Sequence, residues 1–99
     1  MNVSSLVGDE VSRQVDEKTL RGLGAVSDHV DAGLYVSARD VMMVAFLPAT
    51  LVCQAILRME SRKLLEVFDK DSNGLQYVRL TENGRVAWAL MKECDRVDG

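Results

Sequence analysis

The sequence predicts a mainly helical α+β fold, with a three-helix core, a two- to three-stranded hairpin sheet and a closing C-terminal helix. Three observations carry that expectation. Apolar residues recur at three- and four-residue spacing before residue 30, across 52–59 and after 86. The single proline, Pro48, splits one helical stretch from the next, and a polar cluster over 69–74 divides two β-rich runs. The boundaries that follow are a flexible N-terminus over 1–9 and one domain over 10–96.

Val11, Val15, Thr19, Leu23, Val26 and Val30 form the stripe of a first helix, roughly 10–30. Gly22 and Gly24 weaken it by up to about 1 kcal/mol each against Ala, although a small residue also lets another helix pack closely. Asp31-Ala-Gly33 is a stop and Leu34-Tyr35-Val36 a short strand. Ser37, with Asp40 three residues on, marks an N-cap, so a second helix runs from Ala38 to about Phe46. Leu47-Pro48 ends it: proline lacks a donor and disfavours helical geometry in the residue before it, yet suits the first turn of a new helix. The third helix, about 48–62, gathers Val52, Ala55, Ile56 and Met59 within about 100° of its wheel as the buried stripe. Leu64 to Phe68 and Leu75 to Leu80 are hairpin strands across the 69–74 turn. Thr81 then caps a last helix carrying Val86, Ala87, Leu90, Cys94 and Val97.

Composition narrows the function classes. With 99 residues, 47% hydrophobic, 27% charged and a net charge of −3, the chain suits one compact domain and is too apolar for disorder. No apolar run approaches the ~18 residues of a membrane span, and the N-terminus lacks the basic start and apolar block of a secretory leader, so no membrane partner and a cytoplasmic location are expected. Cys53 and Cys94 are too few for a disulfide framework, and neither has a second Cys or His at ligand spacing, so no metal and no cofactor are expected. His29 stands beside Asp28 and Asp31 without a nucleophile pattern or phosphate loop, which reads as solvated surface rather than an enzyme site. Cys53 reads as filler rather than a redox switch, since the sequence places no cation cluster beside it.

Charge is unevenly spread. Residues 1–33 are acidic, whereas Arg39, Arg58, Arg62 and Lys63 outnumber Asp40 and Glu60 in residues 34–65. An acidic total argues against non-specific coating of nucleic acid, which needs many neutralised phosphates, but leaves room for a local basic face. Val67-Phe-Asp-Lys-Asp-Ser-Asn-Gly74 also reproduces the start of an EF-hand calcium loop. Leu80 stands where the bidentate Glu is needed and Gln76 where an apolar residue belongs, so a polar hairpin turn is the favoured reading.

The order helix, strand, helix, tight break, helix, hairpin, helix is the winged helix-turn-helix plan. Two segments agree with it. Leu47-Pro-Ala-Thr-Leu-Val-Cys-Gln-Ala-Ile-Leu-Arg-Met-Glu-Ser-Arg-Lys-Leu-Leu65 resembles, without a gap, the turn and recognition helix of IclR-type regulators, L-P-x-[ST]-x-V-x-[RQ]-L-[LI]-x-x-L-E-x-R-G-L-[VL]. Val78-Arg-Leu-Thr-Glu-Asn-Gly-Arg85 is similar to the V-x-L-T-x-x-G-R segment that closes the wing of MarR-type regulators. The resemblance covers about residues 20–90 and implies a transcriptional regulator that binds double-stranded DNA with its third helix in the major groove.

The face of that helix opposite Val52, Ile56 and Met59 carries Thr50, Gln54, Leu57, Arg58 and Ser61, onto which the resemblance places the base-contacting positions. Gln54 suits a bidentate pair with adenine, Thr50 a base or thymine methyl, and Arg58 a guanine or phosphate. Ser37 and Arg39, at the start of the second helix, are expected at a phosphate. Lys70 at the wing tip is flanked by Asp69 and Asp71, so a weak wing contact is expected. Four positions depart from the pattern: Ala49 replaces a basic residue, Cys53 and Leu57 are less polar than expected, and Lys63 stands where Gly accommodates a positive φ.

Apolar residues 86–91 encircle the last helix, more than one small domain can cover. Val86, Trp88, Ala89 and Met91 are therefore expected at a homodimer interface, which would set two third helices on successive major-groove faces. The segments before 20 and after 95 are too short for an effector domain. A winged helix that binds protein is the alternative, favoured by the acidic total, the Asp-flanked wing, Ala49 and Leu57.

Overall fold

The computed structural model describes residues 3–30, 34–70 and 72–98, with side chains over 10–96 of these. The expected stop at Asp31-Ala-Gly33, the Asp71 flank of the wing and the side chain of Val97 lie outside the described residues. In chain order the elements are α1 (Val3–Ser27), β1 (Val36–Ser37), α2 (Ala38–Ala45), α3 (Ala49–Ser61), β2 (Leu65–Lys70), β3 (Gln76–Leu80) and α4 (Glu82–Asp98). No single helix among the described residues is long and apolar enough to cross a membrane.

The helix-turn-helix follows its local signals closely. Ser37 Oγ accepts the Arg39 N–H at 3.2 Å and starts α2. Phe46 ends it in the left-handed region (φ 56°), and the amides of Phe46 and Leu47 both donate to the Met42 carbonyl. Pro48 is extended, its carbonyl accepts from Leu51 and Val52, and the chain turns by 113° between α2 and α3.

Three antiparallel strands form a sheet in the order β1-β3-β2. Val36 opposes Val78, and Val78 opposes Val67, while Leu65 opposes Leu80. Period-two alternation sends Val36, Leu65, Val78 and Leu80 into the core with Leu23, Val41, Val52, Ile56 and Met59. Among the described residues every buried apolar side chain is aliphatic or thioether, and none of the five aromatic residues belongs to that core.

Helix α1 departs from its expected limits at both ends. It begins at Val3, so residues 3–9, set apart as a flexible terminus on sequence grounds, have helical backbone. It stops at Ser27 through short-range bonds, His29 N–H to Val26 O at 3.0 Å and Val30 N–H to Ser27 O at 3.3 Å, which put His29 and Val30 in an exposed turn instead of on the helix. The Trp88 ring lies where a Cβ on Gly24 would sit, 2.4 Å away, so Gly24 is the close-packing residue between α1 and α4. Trp88 Nε1 donates to Asp28 at 3.1 Å, and Lys92 reaches the same carboxylate at 3.3 Å. Arg21 bridges Glu17 and Asp95, and its guanidinium holds the Asp95 carboxyl below the ordinary range.

Helix α3 ends in a Schellman motif: Leu64 N–H donates to Met59 O and Lys63 N–H to Glu60 O, both at 3.0 Å. Lys63 takes the left-handed position (φ 61°) that the family pattern gives to Gly. A Cβ there costs roughly 1 kcal/mol. Lys63→Gly is accordingly expected to raise the melting temperature by roughly 4–8 °C; an unchanged or lower value in thermal unfolding would mean that the Lys63 side chain offsets the strain.

Candidate nucleic-acid interface

The buried stripe of α3 is the expected one, Val52, Ala55, Ile56 and Met59, each no more than 1% exposed. On the opposite side Thr50, Gln54, Leu57 and Ser61 are exposed along one line at i, i+4, i+7 and i+11, and Leu57 is 58% exposed. That line presents two polar side chains and one apolar side chain near the N-terminal and central turns. Ser61 Oγ donates to the Arg58 carbonyl at 2.9 Å, so its hydroxyl proton is used within the helix. Cys53 is half-buried and Cys94 exposed, both as free thiols.

Arg58, expected on this line, is turned away from it. Its Nε and Nη2 grip Asp16 of α1 at 3.0 and 2.7 Å, a fork-to-carboxylate pair, and Arg62 Nη1 stands 3.8 Å from the same carboxylate. Asp16 is 7% exposed, and a carboxylate that far from water requires a charged partner. The guanidinium is thus committed to holding α1 on α3. Asp16 was missed in the sequence reading although its signal is present: Asp16, Leu20 and Leu23 share i, i+4, i+7 spacing, which puts an acid on an apolar face.

Ser37 is half-buried and its hydroxyl oxygen is occupied as the N-cap, while Arg39 beside it is exposed. Lys70 is exposed at the end of β2, next to Asp69, whose Oδ1 accepts the Lys70 N–H at 2.7 Å. The segment that resembled half a calcium loop is flanked by paired strands rather than helices. On the outer face of the sheet, Tyr35 stacks on Phe68 at 4.8 Å, and Arg79 lies 4.6 Å over the Tyr35 ring. A hydrogen bond to Glu66 holds the Arg79 guanidinium charged.

The expected interface residues of α4 divide in two. Val86, Ala89 and the neighbouring Leu90 are exposed, whereas Trp88 and Met91 are half-buried against the chain's own core.

No family model matches the sequence, and no curated protein matches it by sequence. Solved structures do match. A candidate DNA-binding protein from Ralstonia eutropha superposes with a TM-score of 0.66 at 18% identity, over 79% of this chain and 94% of that one. A MarR-family transcriptional regulator from Silicibacter pomeroyi gives 0.62 at 12% identity, over 96% and 70%. Streptococcus pneumoniae FabT, solved in complex with DNA, gives 0.60 at 15% identity over 81% of this chain, which spans 54% of FabT. At these identities the likeness is one of fold: the chain has the winged helix-turn-helix fold that MarR-family transcriptional regulators also have.

Proposed function

We propose that this chain is a sequence-specific double-stranded DNA-binding transcriptional regulator that acts in the cytoplasm as a homodimer, with no catalytic role. The observation that carries the proposal is the exposed line Thr50, Gln54, Leu57 and Ser61, set on a helix whose other face is fully buried. The major groove admits such a helix. Gln54 pairs with the N6 and N7 edge of adenine, and Thr50 and Leu57 offer methyl groups to thymine. Arg39 and Lys70 contact phosphates, which position the domain without specifying sequence. Val86, Ala89 and Leu90 form the apolar seam between protomers, setting two α3 helices about one helical turn apart.

Selection from a random duplex pool at near-physiological salt tests this reading. Enrichment of an inverted repeat is the expected result, and Gln54→Ala should then weaken the selected duplex about tenfold to a hundredfold while binding to random duplex stays unchanged. Equal losses on both duplexes would remove Gln54 from base readout. A protein-binding role is the second reading, supported by Phe46, an aromatic residue 91% exposed in the helix-turn-helix turn. Absence of any enriched motif favours it.

A further inference from the structure

The two flanks of α3 differ in charge. A helix about 10–12 Å across fills a groove about 12 Å wide, so its flanks face the two sugar-phosphate walls. Measured at 100° per residue from the Thr50–Ser61 line, Arg58 and Arg62 lie on one flank and Cys53 and Glu60 on the other. Only the first attracts phosphate. Facing it, α1 supplies Ser12, Arg13 and Asp16, and these five residues line an open cleft of about 480 Å3.

Three arginines, Arg13, Arg58 and Arg62, and one carboxylate, Asp16, line the cleft. Asp16 engages Arg58 through Nε and Nη2, and Arg62 stands 3.8 Å away, near enough for attraction and too far for a hydrogen bond. The surplus is positive, with planar donors suited to a tetrahedral oxyanion. We propose that this cleft is a phosphate site, filled by a backbone phosphodiester of the duplex beside the groove that α3 enters. The proposal rests on the DNA-binding reading above. Arg13 and Arg62 bind the phosphate oxygens, and Asp16 is a positioning residue that keeps Arg58 on the cleft wall.

The test leaves the Asp16–Arg58 pair intact. Arg13→Gln/Arg62→Gln protein is titrated with the selected duplex and with random duplex over a salt series, and thermal unfolding checks that the fold is retained. Loss of one phosphate contact lowers the slope of log K against log salt by about 0.9 on both duplexes, so the wild-type advantage shrinks about threefold to fourfold between 50 and 200 mM salt. An unchanged slope, with wild type still selecting its duplex, overturns the phosphate site alone, whereas wild type that binds no duplex overturns both readings. A loss confined to the selected duplex would make these arginines base readers and overturns the proposal. Saturable stabilisation of wild type by inorganic phosphate, absent from the variant and accompanied by an unchanged DNA slope, assigns the cleft to a free anion and overturns the backbone source.

Discussion

Gly84→Ala is expected to destabilise the domain by about 3 kcal/mol or more, a fall in melting temperature of roughly 12–24 °C. An exposed helical Gly→Ala change ordinarily gains up to about 1 kcal/mol, so the expected sign is reversed. Gly84 lies in the first turn of α4, and a Cβ there would stand 1.9 Å from the Leu64 carbonyl oxygen and 2.9 Å from Leu80 Cδ2. Backbone cannot yield as a side chain does. To relieve the clash α4 must move away from the turn after α3, breaking Thr81 N–H to Leu64 O at 3.1 Å and Thr81 Oγ1 to Lys63 O at 2.5 Å. The Thr81 cap on the Gly84 amide, 3.1 Å, sits in the same tight corner. Asn83→Ala, at the exposed neighbouring position, is the control and should change stability by less than about 0.7 kcal/mol. A Gly84→Ala melting temperature equal to or above wild type would refute the close approach.

Arg58→Ala is expected to cost about 3 kcal/mol, because it leaves Asp16 buried with only Arg62 at 3.8 Å. The lower end of the range for a broken buried pair applies, since the Arg58 side chain keeps 33% of its exposure. Removing the charge as well should restore most of the loss, so Asp16→Asn/Arg58→Ala should be more stable than Arg58→Ala alone. A double-mutant cycle by denaturant unfolding measures this directly. An Arg58→Ala protein within about 0.5 kcal/mol of wild type would mean that the pair is solvated and holds nothing. The same result bears on DNA binding: loss of binding on Arg58→Ala reports a displaced α3, and it cannot be read as a lost base contact until stability has been measured.

Much of the frame was legible in the residues. Pro48 marked the break between α2 and α3, Ser37 the cap of α2, and the Val52, Ala55, Ile56, Met59 stripe the buried side of α3, because each signal acts within one or two turns of chain. The similarity of Val78–Arg85 to a wing-closing segment has one local cause and one tertiary cause: Thr81 caps α4, and Gly84 fits under the Leu64 carbonyl. The α1 limits were less legible. Helical backbone continues ahead of the apolar stripe to Val3, and Ser27 becomes the end through its own turn bonds although Val30 keeps the stripe's spacing.

The sequence by itself determined the order of helices and strands, the break between α2 and α3 and the apolar face of α3, since periodicity, capping and proline geometry are properties of neighbouring residues. Tertiary structure alone decided what the polar side chains outside the helix caps are used for. Arg58 and Asp16 are 42 residues apart, and only the packing of α1 across α3 buries that carboxylate and draws the arginine off the exposed Thr50–Ser61 line. Trp88 and Met91 likewise spend part of their surface on the core of their own chain because α4 crosses α1 at Gly24, which leaves Val86, Ala89 and Leu90 uncovered. Spacing along a chain sets the angle at which a side chain leaves its helix, and folding sets what stands opposite it.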